Sequence, residues 1–382
     1  MPKNCIMFIT GEPSGDQNTA PVIGQLLKRI PNCKCYGIGG PKMQAMGFES
    51  ILPFEEFNKM GYWEVICHLS FFINAKRILI DEMEKSRPDV LVCVDFSGFN
   101  TILMKVAYKM EIPVIWYIAP KFWAWKKRKH TANLKKYATH IASIFPFETK
   151  LLLQYTKSVT FVGNPLVEYI NNQNFHYETK TVKNLKLKNK IKIAVVPGSR
   201  LQEVSKILPV MIKSCNILKK KYPNIFITVS QYNRIDIETY KKCIGDCTAD
   251  LFTGSLEKLF HESDIAIVTS GTATLQAALM CIPMIICYKT SFITFMLGKI
   301  LIKGTSNIGL PNIIAEKSIV PELIQNEMSP ESIASKVSKY INSPVYTNET
   351  IENLSKLKKE LGLKKPSVEL TELIKKVISS NL

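Results

Sequence analysis

Acidic residues are scarce in this chain. Against 50 Lys and Arg stand 32 Asp and Glu, for a formal net charge of +18 at neutral pH. An imbalance of that size predicts attraction to something acidic: nucleic acid, phosphorylated substrates or an anionic membrane surface. Nucleic acid is the weaker reading, because the standard nucleic-acid-binding signatures are missing. Histidines are rarer still, five in all, and they do not cluster in sequence. The ten cysteines make no framework, since Cys33-x-Cys35 and Cys243-x3-Cys247 lack partner pairs at zinc spacing. No metal site and no cofactor is implied, and most cysteines read as small buried hydrophobes in a reducing compartment. Long apolar runs are also missing. The nearest to membrane-spanning length, residues 283–302, is broken by Lys289 and Lys299. The apolar start at residues 5–9 is too short for a secretory signal and fits a first strand. The expected location is the cytoplasm, with peripheral attachment to a membrane left open. There is no G-x-G-x-x-G either, so the dinucleotide fingerprint is absent.

What is present is an alternation. A length of 382 residues favours two domains, and 46% hydrophobic residues is normal for a chain with real cores. In the first half, strands are expected at 5–10, 35–38, 90–95, 114–118, 140–144 and 160–162, with helices at 17–30, 71–85 and 101–109. Gly163-Asn164-Pro165 then punctuates the chain, and a Lys/Asn-rich stretch follows at 171–190. The pattern restarts with strands at 191–196, 225–229, 250–252, 265–268 and 284–287, and with helices at 201–221 and 272–280. Continuous apolar strands between amphipathic helices indicate parallel sheets covered on both faces. The expected fold is α/β: two doubly wound, Rossmann-like domains facing each other across a cleft. Their bounds are expected at 1–165 and 166–345, with a helical tail at 346–382.

The functional signal lies in the turns. Pro197-Gly198-Ser199-Arg200 follows one apolar strand, and Ser270-Gly271-Thr272 follows another. A small-residue turn that opens a helix lets backbone N–H groups approach an anion. Arg200 adds a guanidinium fork suited to phosphate. The pair suggests a nucleotide diphosphate site; two ordinary strand-to-helix turns are the bland alternative. In the first half, Gly11-Glu12-Pro13-Ser14-Gly15-Asp16 makes a similar turn, from which Glu12 and Asp16 would project toward the cleft, unless Asp16 simply caps a helix. Asp95, at the carboxyl end of the most apolar strand, is placed for general-base work or for capping the turn that follows. Trp123 and Trp125, before the run Lys126–His130, suit the wall of a sugar-phosphate cleft or a solvated basic face. The stretch from Trp63 through Phe71 and Phe72 to Arg77 reads as core helix or as an apolar-basic patch resting on anionic lipid.

These motifs resemble, nearly end to end, those of the lipid-A-disaccharide synthase family. The matching residues are Gly11–Asp16, Gly37-Ile38-Gly39-Gly40-Pro41-Lys42-Met43, Met60-Gly61, Pro88-Asp89-Val90, Asp95 and Trp123-Ala124-Trp125. Further on they are Pro146-Phe147-Glu148, Val162-Gly163, Pro197–Arg200, Glu203-Val204, Ser270–Ala273 and Leu310-Pro311-Asn312. The resemblance implies a GT-B fold and an inverting glycosyltransferase. It implies transfer of a diacylglucosamine unit from UDP to diacylglucosamine 1-phosphate, peripheral membrane association and no metal requirement. On that reading Asp95 is the base, with Glu12 and Asp16 as the other catalytic carboxylates. Ser14, Arg200, Glu203, Ser270, Gly271, Thr272, Gln276 and Asn312 bind UDP or substrate. Met60 joins the two tryptophans in the cleft wall. Three positions depart from the family: Gln276 stands for a Glu suited to ribose hydroxyls, Gly98 for an Asp, and Asn164 for a His. Another UDP-sugar enzyme on the same fold, such as an epimerase, or a binding-only paralogue are the alternatives. Oligomeric state stays open, a homodimer included.

Overall fold

The computed structural model describes residues 4–58, 69–120, 128–173, 185–289 and 307–380. The chain divides into two compact units, Met1–Glu168 together with Leu361–Leu382, and Tyr169–Glu360.

The first unit is built on seven strands: β1 (Asn4–Thr10), β2 (Cys33–Ile38), β3 (Glu49–Ser50), β4 (Val90–Val94), β5 (Val114–Tyr117), β6 (His140–Ser143) and β7 (Val159–Phe161). They lie in the order β3-β2-β1-β4-β5-β6-β7, every pair parallel. Val90-Leu91-Val92-Cys93-Val94 is buried at every position, as a strand with helices on both faces must be. Alternation along β1 sorts its side chains. Ile6 and Phe8 join Val22, Ile23 and Leu26 of the helix Pro13–Arg29, whereas Met7 and Ile9 meet Leu79, Met83 and Leu103 on the opposite face. Each such aliphatic side chain contributes about 1.5–3 kcal/mol when fully buried.

The second unit has six strands: β8 (Ile191–Val196), β9 (Ile225–Ser230), β10 (Asp250–Phe252), β11 (Ile265–Thr269), β12 (Met284–Tyr288) and β13 (Glu322–Ile324). Their order is β10-β9-β8-β11-β12-β13, again all parallel. One face packs on the helices Leu201–Lys221 and Pro330–Asn342 through Ile193, Val195, Ile207, Met211, Ile333 and Val337.

Two expectations change. The boundary near 165 falls three residues later, and the tail does not stand apart. The helix Pro344–Leu361 stays with the second unit up to Glu360, whereas the helix Pro366–Ser379 returns to the first. Leu370, Ile374, Val377 and Ile378 form an apolar stripe, and it is buried in the same core as Val22 and Leu26. The backbone N–H and the hydroxyl of Ser367 donate to the Glu168 carboxylate and fasten the start of that helix. None of the described helices is long and apolar enough to cross a membrane.

Candidate functional site

Both sheets reverse their direction of growth at one place. In the first, the chain builds outward from β1 through β2 and β3, then starts again on the other side with β4. In the second the same reversal lies between β8 and β11. Such switch points open a crevice beyond the carboxyl ends of the strands, where ligands of open α/β sheets bind. The four motif turns leave these strands: residues 11–16 after β1, Asp95 after β4, residues 197–200 after β8 and residues 270–272 after β11. The partners are in register, Thr10 beside Val94 and Val196 beside Val268.

In the second unit the two turns differ. Gly198 has φ +109°, and a Cβ there would meet Glu203 Oε2 at 2.3 Å, so glycine is required. That carboxylate accepts from the N–H groups of Ser199 (3.2 Å) and Arg200 (3.3 Å) and meets Arg200 Nη1 at 3.4 Å. Glu203 therefore shapes the turn rather than facing a ligand, and it occupies the amides expected to greet phosphate. What the turn presents is the Arg200 guanidinium, whose side chain is 83% exposed. The turn after β11 is the open one. Gly271 starts the helix Thr272–Leu279 without a side-chain cap, and a Cβ on it would meet nothing within 4 Å. The first-turn N–H groups of that helix are the ready anion donors.

Three other residues expected at the nucleotide make hydrogen bonds within the second unit. The Ser270 hydroxyl donates to the Ile308 carbonyl at 3.3 Å. Asn312 is fully buried. Its Nδ2 donates to Val320 O (2.8 Å) and Glu322 Oε1 (2.7 Å), and its Oδ1 accepts from the N–H groups of Ile319 and Val320. Every hydrogen-bonding position of the amide is filled, so the Asn312 side chain, expected to complete the nucleotide site, holds the scaffold here. Glu322 also accepts from Ile308 N (2.8 Å) and Gly309 N (3.0 Å), so this carboxylate fixes the loop before Leu310. Gln276 gives Nε2 to Oε1 of Glu257 at 2.8 Å. Glu257 lies in the first turn of the helix Leu256–His261, which starts just after the carboxyl end of β10, and it is 3% exposed. Burial, then the Glu257 charge, raises the phenol pKa of Tyr169. The sequence reading missed both Glu257 and Glu322, since neither sits in a turn motif.

In the first unit Asp16 follows the capping alternative, on a neighbouring helix rather than its own, and it is 3% exposed. Oδ1 accepts from Met43 N (2.9 Å) and Oδ2 from Lys42 N (3.1 Å), the first-turn amides of the short helix Pro41–Gln44. A Cβ on Gly40 would meet Asp16 Cγ at 2.6 Å, so the Gly-Gly-Pro-Lys-Met motif is the cradle of this carboxylate. Glu12 and Ser14 are exposed. Glu12 starts the helix Pro13–Arg29 without a side-chain cap bond. Asp95 is half-buried with φ 44°, followed by Phe96 with φ 43°. The Asp95 N–H donates to Tyr117 O at 3.0 Å. A Cβ on Gly98 would meet open space. Asn164 caps the helix Pro165–Asn171 through Oδ1 to Leu166 N (3.0 Å).

Phe71 and Phe72, expected either in a core helix or on a lipid-facing patch, pack against the apolar core of the first unit. They are half-buried, and their rings pack on Phe57 at 4.9 and 6.0 Å; Phe72 also meets Phe96 and Phe99. The aromatic rings find more apolar contact there than on the surface. Among the described residues of that segment, Ile73 is an exposed large apolar side chain. Met60, Trp63, Trp123 and Trp125 lie outside the described residues.

Comparison with known proteins bears on this arrangement. The model of the lipid-A-disaccharide synthetase family matches residues 6–378. A lipid-A-disaccharide synthase of Syntrophus aciditrophicus is 33% identical over 98% of this chain and 99% of its own length. One of Geobacter metallireducens is 32% identical over 94% of each. Among solved structures, a Neisseria meningitidis UDP-GlcNAc 2-epimerase bound to UDP-GlcNAc superposes with TM-score 0.65 at 13% identity, covering 97% of this chain and 100% of that one. Acinetobacter baumannii MurG does so with TM-score 0.58 at 13% identity, covering 98% and 100%. These likenesses show the shared fold, and the near-complete family match goes further: the chain belongs to the lipid-A-disaccharide synthase family of glycosyltransferases.

Proposed function

We propose that the protein joins UDP-2,3-diacylglucosamine to 2,3-diacylglucosamine 1-phosphate, giving the β-1,6-linked disaccharide 1-phosphate and UDP. The observation that supports this reading most is the family match over residues 6–378, with a motif turn at each switch-point strand. The 6-hydroxyl oxygen of the acceptor attacks the donor's anomeric carbon as the bond to the diphosphate breaks, which inverts that centre. The hydroxyl proton passes to Asp95, and the electron pair of the broken bond leaves on UDP. Arg200 and the open amides after Gly271 receive the growing negative charge on the diphosphate. Thr272 and Gln276 stand four residues apart on one helix face, so a ribose next to the diphosphate would lie about one turn, ~5.4 Å, along it. There the Glu257 carboxylate, steadied by Gln276, accepts from the ribose hydroxyls. Glu12 and Ser14 are the exposed polar groups on the turn beside Asp95 and serve the acceptor.

Basic charge and the lipid-bearing substrates of the proposed reaction support peripheral attachment to the anionic cytoplasmic face of the inner membrane. Salt-sensitive co-sedimentation with anionic vesicles tests this, and binding indifferent to salt would refute the electrostatic account. The activity is tested by UDP release from acylated UDP-glucosamine. Release that depends on acylated glucosamine 1-phosphate is expected. An epimer formed from the UDP-sugar alone would refute the transferase reading, and so would UDP binding without turnover.

A further inference from the structure

The backbone at Asp95 and Phe96 is left-handed twice in succession, with φ 44° and 43°. Neither residue is glycine, and such pairs persist only where their surroundings over-determine them. The surroundings here converge on Asn100, in the second turn of the helix Ser97–Lys109. Its Nδ2 lies 2.9 Å from Asp95 O, 3.2 Å from Val94 O and 3.3 Å from Ile9 O. Three carbonyl oxygens identify that atom as the nitrogen. The side chain is fully buried, and its Oδ1 has no hydrogen-bond partner among the described residues. The amide's donors are spent on the carbonyls around the Asp95 turn. Ile9 belongs to β1, so the same amide ties the strand that leads to Glu12 and Ser14 to the turn that carries Asp95. The Phe96 ring closes the junction. It covers Gly11, where a Cβ would meet it at 2.6 Å, and packs 5.5 Å from Phe99.

We infer that Asn100 is a positioning residue, which aims the Asp95 carboxylate by holding its left-handed backbone against the carboxyl ends of β1 and β4. The inference rests on the reading of Asp95 as the base. Without the amide, three converging carbonyls repel one another, the strained pair relaxes, and the carboxylate moves with it. A displacement of about 1 Å at a reacting group costs on the order of 10²-fold in rate.

The test is UDP release by the full chain from acylated UDP-glucosamine and acylated glucosamine 1-phosphate. Folded Asn100→Ala should show kcat lower by about 10–100-fold, with UDP affinity and the donor KM within about twofold of the parent. In an Asp95→Asn background, Asn100→Ala should cost nothing further, because both act through one group. Parental kcat in folded Asn100→Ala overturns the inference, as do losses that multiply in the double variant. If Asn100→Ala does not fold, Asn100→Ser, which keeps one donor, carries the same comparison. Loss of fold in both also overturns it, since the residue would then hold the domain rather than the carboxylate. Parental turnover in Asp95→Asn alone is a separate result, which removes Asp95 as base whatever Asn100 does.

Discussion

Asp16 separates a structural carboxylate from a catalytic one. Asp16→Ala removes both acceptors of the Lys42 and Met43 amides. The bond to Met43 is buried and the bond to Lys42 half-buried. Leaving a buried donor unsatisfied costs about 1–3 kcal/mol, so about 2–3 for Met43 and about 1 for Lys42, together about 3–4 kcal/mol. For a unit of this size that lowers the melting temperature by about 6–16 °C. Asp16→Asn keeps one acceptor but turns its NH2 toward the other amide, and should lose about half as much. Below the melting transition, kcat per folded molecule should stay within about threefold of the parent in both variants. Calorimetric melting with UDP-release kinetics checks this. Parental melting in Asp16→Asn with turnover lowered more than about 100-fold would refute the reasoning, because the carboxylate would then act on substrate.

Asp95→Asn should lower kcat by about 10²–10⁴-fold with UDP affinity unchanged, measured by steady-state kinetics and calorimetry. Arg200→Ala should weaken UDP binding by about 10–100-fold, the worth of a charge-assisted hydrogen bond of about 1.5–3 kcal/mol; unchanged affinity in calorimetry refutes it. Glu257→Gln should weaken UDP about tenfold or more and 2′-deoxy-UDP less, so equal losses for the two ligands count against a ribose contact. Burial, then Lys376, lowers the His140 imidazole pKa from its ordinary value. The unfolded chain then binds that proton at higher pH than the folded one. This stabilisation is complete above about pH 6.5 and is lost as pH falls through the lowered value; thermal melts of His140→Gln should show a flatter dependence there.

The strands were legible because each long one is a continuous apolar run, and a run such as Val90–Val94 has few other structures open to it. The two-residue β3, Glu49-Ser50, was not, since it has no apolar side chain to carry a period, and β13 was missed although β7 and β10, which were expected, are just as short. Expected strand 90–95 ends one residue early because Asp95 turns left-handed, and the next helix begins at Ser97 rather than 101. Ser97 and Gly98 look like turn residues in sequence. The tail was legible as helix but not in its destination: the stripe Leu370–Ile378 announces a buried face without saying which core receives it.

At the site, the turns were legible and the division of labour within them was not, for one physical reason. A motif shows that a polar residue is present; only burial shows where its hydrogen bonds go. Acids are few in this chain, and many of them hold backbone amides. Asp16 accepts from residues 42 and 43, Glu203 from 199 and 200, Glu322 from 308 and 309, Glu168 from 367, and Asp89 from Cys5. In each case a carboxylate pins backbone at a strand or helix end, with two bonds everywhere but at Asp89, where there is one; a neutral side chain does this less well. Motif membership therefore ranks these residues poorly as chemical candidates. Asp95 ranks above them on its strained backbone at the switch point, Glu12 on its exposure beside it, and Glu257 on a side chain that meets another side chain instead of a backbone amide. Substituting the anchoring acids should therefore register first in melting temperature, and substituting these three first in turnover or nucleotide affinity.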